Sequence, residues 1–118
     1  MKQNRRKEGA AGEALAAEYL VNNGYNILER NYHFEHAEID LIAEDGDELV
    51  FVEVKARTSK VLGDPEDAMS EEKENHVRDA ADGYLYEKGI ENRVCRFDVV
   101  AVEYENGLVR IRHLKDAF

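Results

Sequence analysis

The sequence predicts an α/β fold in which helices flank a mixed β-sheet, and three observations carry that prediction. Apolar residues recur at helical spacing in two separated stretches, and five other stretches have the length and alternation of strands. One of the five, Leu49-Val50-Phe51-Val52, is apolar on both faces, which a strand in the middle of a sheet requires. The order reads α-β-β-β-α-β-β, with the helices layered against the sheet.

The first helix is expected over 5–23, with Asn4 as N-cap and Gly24 as its stop. On a helical wheel Ala10, Ala14, Ala17, Leu20 and Val21 form one stripe, the expected buried face. Strands follow at 25–32, 36–45 and 48–56. Residues 57–69 read as a polar loop holding the only proline, Pro65. Ser70 is placed to cap a second helix, whose Val77, Ala80, Ala81, Tyr84 and Leu85 keep the i, i+3, i+4, i+7, i+8 rule, and Gly89 closes it. Two last strands, 93–105 and 108–114, flank Asn106-Gly107, a strong hairpin signal. With no internal repeat or Pro/Gly-rich linker, the 118 residues are expected to form a single domain over 1–118.

Composition excludes several classes. A hydrophobic content of 43% suits a folded globule, while 36% charged residues is high. The lone Cys95 rules out an intrachain disulfide and fits a reducing, cytoplasmic setting; within Val94-Cys95-Arg96-Phe97 it reads as a buried thiol. No stretch reaches the apolar length of a membrane span, and the basic start runs into a helix carrying Glu13 and Glu18, so neither signal peptide nor anchor is expected. The net charge is −10, which taken alone counts against a nucleic-acid partner. Its distribution is uneven, however. Lys2, Arg5, Arg6 and Lys7 make a basic start, Arg93, Arg96, Arg110, Arg112 and Lys115 load the last strands, and residues 35–48 carry seven acids without a lysine or arginine. A basic rim around an acidic centre is compatible with that pattern.

The chemistry-bearing feature is the hairpin Glu38-Ile39-Asp40, Gly46-Asp47, Glu53-Val54-Lys55. Strand side chains alternate faces, so Glu53 and Lys55 share one face, roughly 6.5 Å apart along the strand. If Gly46-Asp47 is the two-residue turn, Asp45 pairs with Glu48 and the same register sets Asp40 opposite Glu53, with Cβ atoms about 4.5–5.5 Å apart. A turn on Asp45-Gly46 would make them diagonal neighbours at about 7 Å on one face, and an unbulged three-residue loop would send them to opposite faces. Two carboxylates so close repel unless a cation lies between them, and Mg²⁺ characteristically takes one or two carboxylates and leaves its other positions to water and phosphate. Lys55 would then act on the phosphate or its attacking water. The plainer alternative is the polar side of an amphipathic strand. Leu49 and Phe51 share that face, though, so the charges begin where an apolar face ends, as at the edge of a cleft.

Glu13 falls within the apolar stripe of the first helix, where a carboxylate is costly unless paired or ligating; the alternative is a half-exposed glutamate among small alanines. Glu38 is expected to be a structural ion-pair partner of Lys55 across the hairpin. Lys73 shares the helical row of Val77 near the helix start, within reach of phosphate or simply snorkelling to solvent. Asp98 reads as a structural strand carboxylate. His33 and His36 lie in a turn without a cysteine partner and do not read as a metal pair. Phosphate-loop, dinucleotide, nucleophile-elbow and Cys-x-x-Cys motifs are all absent from the sequence.

At Asp40…Glu53-Val54-Lys55 the chain resembles the PD-(D/E)XK nucleases, the restriction-endonuclease-like superfamily. More specifically it resembles the YraN family of uncharacterised bacterial proteins, predicted to be endonucleases, through Gly9-x-x-Gly12-Glu13, Gly24-Tyr25, Arg30-Asn31, Glu38-Ile39-Asp40-Leu41-Ile42-Ala43, Phe51-Val52-Glu53-Val54-Lys55-x-Arg57, Cys95-Arg96-Phe97-Asp98-Val99 and Ala117-Phe118. The resemblance implies a restriction-endonuclease-like αβββαβ core, with Asp40, Glu53 and Lys55 at the motif positions and Asp40 and Glu53 holding Mg²⁺ or Mn²⁺. It also aligns Glu13 with the helix glutamate of archaeal Holliday-junction resolvases. Arg57 and Lys73 are the residues expected to meet substrate. Ala37 stands where the family usually has glycine. The implied activity is metal-dependent hydrolysis of DNA, branched or damaged, with DNA favoured over RNA and a homodimer needed to cut two strands; the competing expectation is a non-catalytic nucleic-acid-binding or scaffold module on the same fold.

Overall fold

The computed structural model describes residues 2–57 and 69–118, with side chains in the first helix from Ala10 onward. Helix α1 (Lys2–Asn22) precedes β1 (Asn26–Phe34), β2 (Ala37–Asp45) and β3 (Glu48–Arg57); helix α2 (Glu71–Lys88) leads to β4 (Cys95–Glu105) and β5 (Leu108–Leu114). The five strands form one sheet in the order β1-β2-β3-β4-β5. β3 and β4 are parallel and every other neighbouring pair is antiparallel. This is the mixed-sheet α/β architecture read from the sequence, and the order helix, three strands, helix, strand is the αβββαβ core with β5 added at one edge.

The helices lie on opposite faces. Ala16, Ala17 and Leu20 of α1 pack with Leu41, Ala43, Val50, Val52, Val100 and Val102. On the other side Val77, Ala80, Ala81 and Tyr84 of α2 pack with Ile39, Ile42, Leu49 and Phe51. β3 therefore buries both faces, as its continuous apolar run requires. A parallel β3–β4 pair needs a long crossover, and α2 lies within it.

Both helices end in the same way. The Tyr25 amide bonds the Leu20 carbonyl and the Gly24 amide that of Val21, with Gly24 at φ +90°; Ile90, Gly89, Leu85 and Tyr86 repeat the pattern with Gly89 at φ +64°. These are Schellman ends, in which a glycine adopts the left-handed conformation at no steric cost. Ser70 caps α2 as expected, its Oγ accepting from the Lys73 amide at 3.0 Å.

Some expectations change. α1 begins at Lys2, so Asn4 lies inside the helix rather than at its cap. Ala10, Ala14 and Val21 are exposed, and the buried face runs instead through Gly12, Ala16, Ala17 and Leu20. Alanine packs or faces water with little cost either way, so a stripe read from alanines fixes the face poorly; Gly12 marks it better. A Cβ at Gly12 would lie 2.9 Å from Ala56 Cβ, so the missing side chain lets α1 press against β3. β1 starts at Asn26 and β4 at Cys95, each later than the sequence pattern suggested. The proline loop lies outside the described residues apart from its ends, as do the side chains of Lys2, Arg5, Arg6 and Lys7.

Candidate active site

The β2–β3 ladder runs in register from Asp45–Glu48 to Leu41–Val52, and Gly46 has φ +60°. That is the register of a Gly46-Asp47 turn, the first of the alternatives the sequence left open. The ladder stops one step short of Asp40–Glu53. On the other side β1 pairs with β2 through Arg30–Leu41 and Tyr32–Ile39, and skips the intervening Asn31–Asp40 pair. Asn31 has φ +52° there. Face alternation also breaks at this point: Ile39 and Ile42 both join the α2-side cluster, while Leu41 joins the α1-side cluster. Asp40 thus sits where β2 loses regular pairing on both edges.

That break frees backbone and side chain together. Asp40 Oδ2 accepts from the Val54 amide at 2.8 Å, replacing a carbonyl that β2 no longer presents. Glu53, next along β3, keeps only 7% of its side-chain area exposed. Its Oε2 lies 3.6 Å from Lys55 Nζ and 3.6 Å from Lys73 Nζ. Its Oε1 is buried and has no hydrogen-bond partner among the described residues. An unsatisfied buried acceptor costs about 1–3 kcal/mol, and more when charged. Such an atom is left with its desolvation cost uncompensated by any described residue.

Electrostatics concentrate on the same spot. Burial, then the charge of Glu53, push the Asp40 carboxyl from 3.8 up to about 7; the Val54 amide opposes this, and the charges of Glu13 and Glu38 add to it. Glu13 is also pushed up, chiefly by burial and further by Glu38 and Glu53, against a lowering hydrogen bond from Asn31. With its nitrogen turned to the two glutamates, the Asn31 amide donates to Glu13 Oε1 at 2.9 Å and Glu38 Oε1 at 3.0 Å. Four acids from α1, β2 and β3 therefore share one field, with two lysines at its rim.

The expected site residues fall out as follows. Glu13, Asp40 and Glu53 interact electrostatically, and Lys55 contacts Glu53. Lys73 reaches Glu53 from the first turn of α2 although nearly half its side chain is exposed. Arg57 lies two residues beyond Lys55 at the end of β3, its buried Nε without a hydrogen-bond partner among the described residues. Among the described residues the ion-pair partner of Lys55 is Glu53, and Glu38 instead accepts from Asn31 once the amide nitrogen is turned toward it. Asn31 was visible in the sequence only as a motif residue; its role needs the left-handed kink, which a strand pattern does not encode.

The remaining candidates stay outside the site. Asp98 is fully buried and structural: it accepts from Arg96 Nε at 2.9 Å and Nη2 at 3.0 Å and from the Asp116 amide at 3.0 Å, and contacts His113 Nε2 at 2.7 Å. Burial pushes its carboxyl up, but His113 and Arg96 together hold it below the usual range. His33 and His36 are both exposed. Cys95 is half-buried, and burial raises its thiol pKa.

The donor set suits a hard divalent cation. The residues gathered here, Glu13, Asp40 and Glu53, offer carboxylate oxygens, one of them buried and unpartnered among the described residues, and such donors favour hard cations over softer ones. Among the described residues no three His, Cys, Asp or Glu side chains are already gathered to hold an ion by themselves. Two carboxylates with room for water and phosphate are nonetheless the usual Mg²⁺ arrangement.

Residues 12–102 match the uncharacterised protein family UPF0102. The chain belongs to this family, the YraN family that its motifs resemble. Relatives include UPF0102 proteins of Chlorobium chlorochromatii, 53% identical over 93% of this chain and 89% of the relative, and of Moorella thermoacetica, 42% identical over the whole of both chains. The UPF0102 protein of Symbiobacterium thermophilum is 46% identical over 96% of this chain and 97% of its own length. These family names state no activity, so the chemistry rests on the site. No helix among the described residues is long and apolar enough to cross a membrane.

Proposed function

We propose that this UPF0102 protein is a metal-dependent endonuclease that hydrolyses phosphodiester bonds in DNA. The observation that carries the reading is the convergence of Asp40, the unpartnered Glu53 Oε1 and the Lys55 ammonium at the break in the β2–β3 ladder. Asp40 and Glu53 would hold Mg²⁺ or Mn²⁺. When bound, the ion supplies positive charge to the scissile phosphate and acidifies a coordinated water.

The chain's own groups do the rest. The Val54 amide fixes one Asp40 oxygen, which holds the carboxylate in place beside Glu53. Lys55, tethered 3.6 Å from Glu53, offers a localised positive charge to the non-bridging phosphate oxygens as negative charge builds in the transition state. Glu13, whose burial raises its carboxyl, accepts a hydrogen bond from the attacking water or holds its proton. Lys73 and Arg57 extend the cationic side toward flanking phosphates. A subunit with one such site cuts one strand, so cutting a duplex or junction on both strands calls for a homodimer.

The experiment is hydrolysis of junction, flap, duplex and single-stranded DNA with Mg²⁺ or Mn²⁺. Lys55→Ala and Asp40→Ala should each lower turnover by at least ~10²-fold, the scale of losing one charge-stabilising group. Unchanged turnover in both variants rejects the mechanism. The net charge of −10 favours a second reading, a non-catalytic nucleic-acid-binding or scaffold module on this fold. Tight, metal-independent, salt-sensitive binding without turnover would establish that module instead.

A further inference from the structure

We infer that Asn31 is a positioning residue that aims Glu13 into the site, a role that rests on the metal-dependent reading above. Asn31 stands opposite Asp40 in the gap between the Arg30–Leu41 and Tyr32–Ile39 pairs. With the amide oriented so that its nitrogen faces the two carboxylates, the orientation that satisfies both of its ends, it spans Glu13 Oε1 at 2.9 Å and Glu38 Oε1 at 3.0 Å and ties the end of one α1 side chain to β2.

Two requirements meet at this position, and asparagine satisfies both. The backbone has φ +52°, a left-handed conformation that asparagine, aspartate and glycine adopt most readily. The side chain must also donate twice, once to each of two carboxylates that otherwise repel. Aspartate would add a third acceptor, serine has one donor, and glycine has none. Lysine or arginine would donate to both but would cancel the negative field that attracts a cation. A neutral amide holds the carboxylates and leaves their charge in place.

Without that clamp, Glu38 and Glu53 both push Glu13 away, since both charges act on it. Gly12 fixes the helix backbone close to β3 but not the Glu13 side chain, which keeps its own rotamers. Asn31 therefore acts through Glu13 and touches neither substrate nor metal.

The test is a double-mutant cycle on the full chain with two readouts, the Kd for Mn²⁺ by calorimetry and kcat and KM for cleavage. Asn31→Gly removes the amide yet keeps the left-handed backbone, so metal-free Tm reports any folding defect separately; Asn31→Asp keeps side-chain size and conformation while losing the donors. Each should weaken Mn²⁺ binding or kcat about 10–100-fold, as loss of a residue that orients a metal site does. Combined with Glu13→Gln, Asn31→Gly should add less than threefold, because both changes remove one function. Asp40→Ala serves as the control for the parent reading. If Asp40→Ala abolishes Mn²⁺ binding while Asn31→Gly leaves Kd and kcat at wild-type values, or its loss multiplies fully with that of Glu13→Gln, the positioning role is wrong and the metal site stands. If the wild-type chain binds no Mn²⁺, the parent reading falls and this inference with it.

Discussion

Asp40→Asn should stabilise the metal-free protein at alkaline pH and lose that advantage in acid. Burial and the neighbouring Glu53 charge raise the Asp40 carboxyl from 3.8 to about 7 in the folded chain. Between those values the folded state holds a proton that the unfolded state has released, so stability falls as pH rises through the window and levels off above about 7. At ~1.4 kcal/mol per tenfold change, the whole span corresponds to roughly 4 kcal/mol, of which about 2.5 kcal/mol falls between pH 5 and pH 8. Partial solvent access screens the carboxylate and reduces this to ~1–2 kcal/mol. The asparagine amide still offers an oxygen to the Val54 amide and carries no charge to repel Glu53. Thermal unfolding in EDTA should therefore show Asp40→Asn gaining ~4–8 °C on wild type from pH 5 to pH 8, at about 4 °C per kcal/mol for a chain of this size. The raised Glu13 carboxyl contributes a slope of the same sign in both proteins. A constant difference across the range, or a variant that loses ground as pH rises, would refute the electrostatic account of the site.

Three further outcomes follow from packing and charge. Gly83→Ala should destabilise the fold by ~1–3 kcal/mol in urea, because a Cβ there would meet Phe34 Cδ1 at 2.3 Å, and a gain of the ~1 kcal/mol that alanine gives an ordinary helix position would contradict the packing. Arg96→Met should cost ~3–5 kcal/mol, since it strips the buried Asp98 of its cation; a loss under ~1 kcal/mol would show that His113 and the Asp116 amide suffice. Lys73→Ala should lower cleavage by less than Lys55→Ala and shift Tm by no more than ~2 °C, because its side chain is 44% exposed against 20% for Lys55; an equal or larger kinetic loss would make Lys73 the principal phosphate group.

The parts of the fold that depend on period and punctuation were legible in the sequence. The apolar run of β3 marked the sheet centre, Gly24 and Gly89 marked both helix ends, and Gly46-Asp47 set a register that placed Asp40 beside Glu53. What was not legible depends on close approach and irregular backbone. The buried face of α1 follows Gly12, where a missing methyl admits Ala56, and alanines on either side gave no preference. Gly83 makes the corresponding space for Phe34 under α2 and carried no periodic signal. The site itself lies where two ladders fail, and strict alternation would have continued Asp40–Glu53 as one more pair. The role of Asn31 depends on that failure, while the contact between Glu53 and Lys73 joins residues 20 apart in sequence across the β3–α2 connection, which no local pattern encodes.

Anomalous diffraction from crystals soaked in millimolar MnCl₂ tests the central claim most directly. One manganese peak between Asp40 and Glu53, within about 2.0–2.3 Å of a carboxylate oxygen from each, is the predicted result. A map with no peak there, or with manganese bound only elsewhere on this acidic surface, would contradict it.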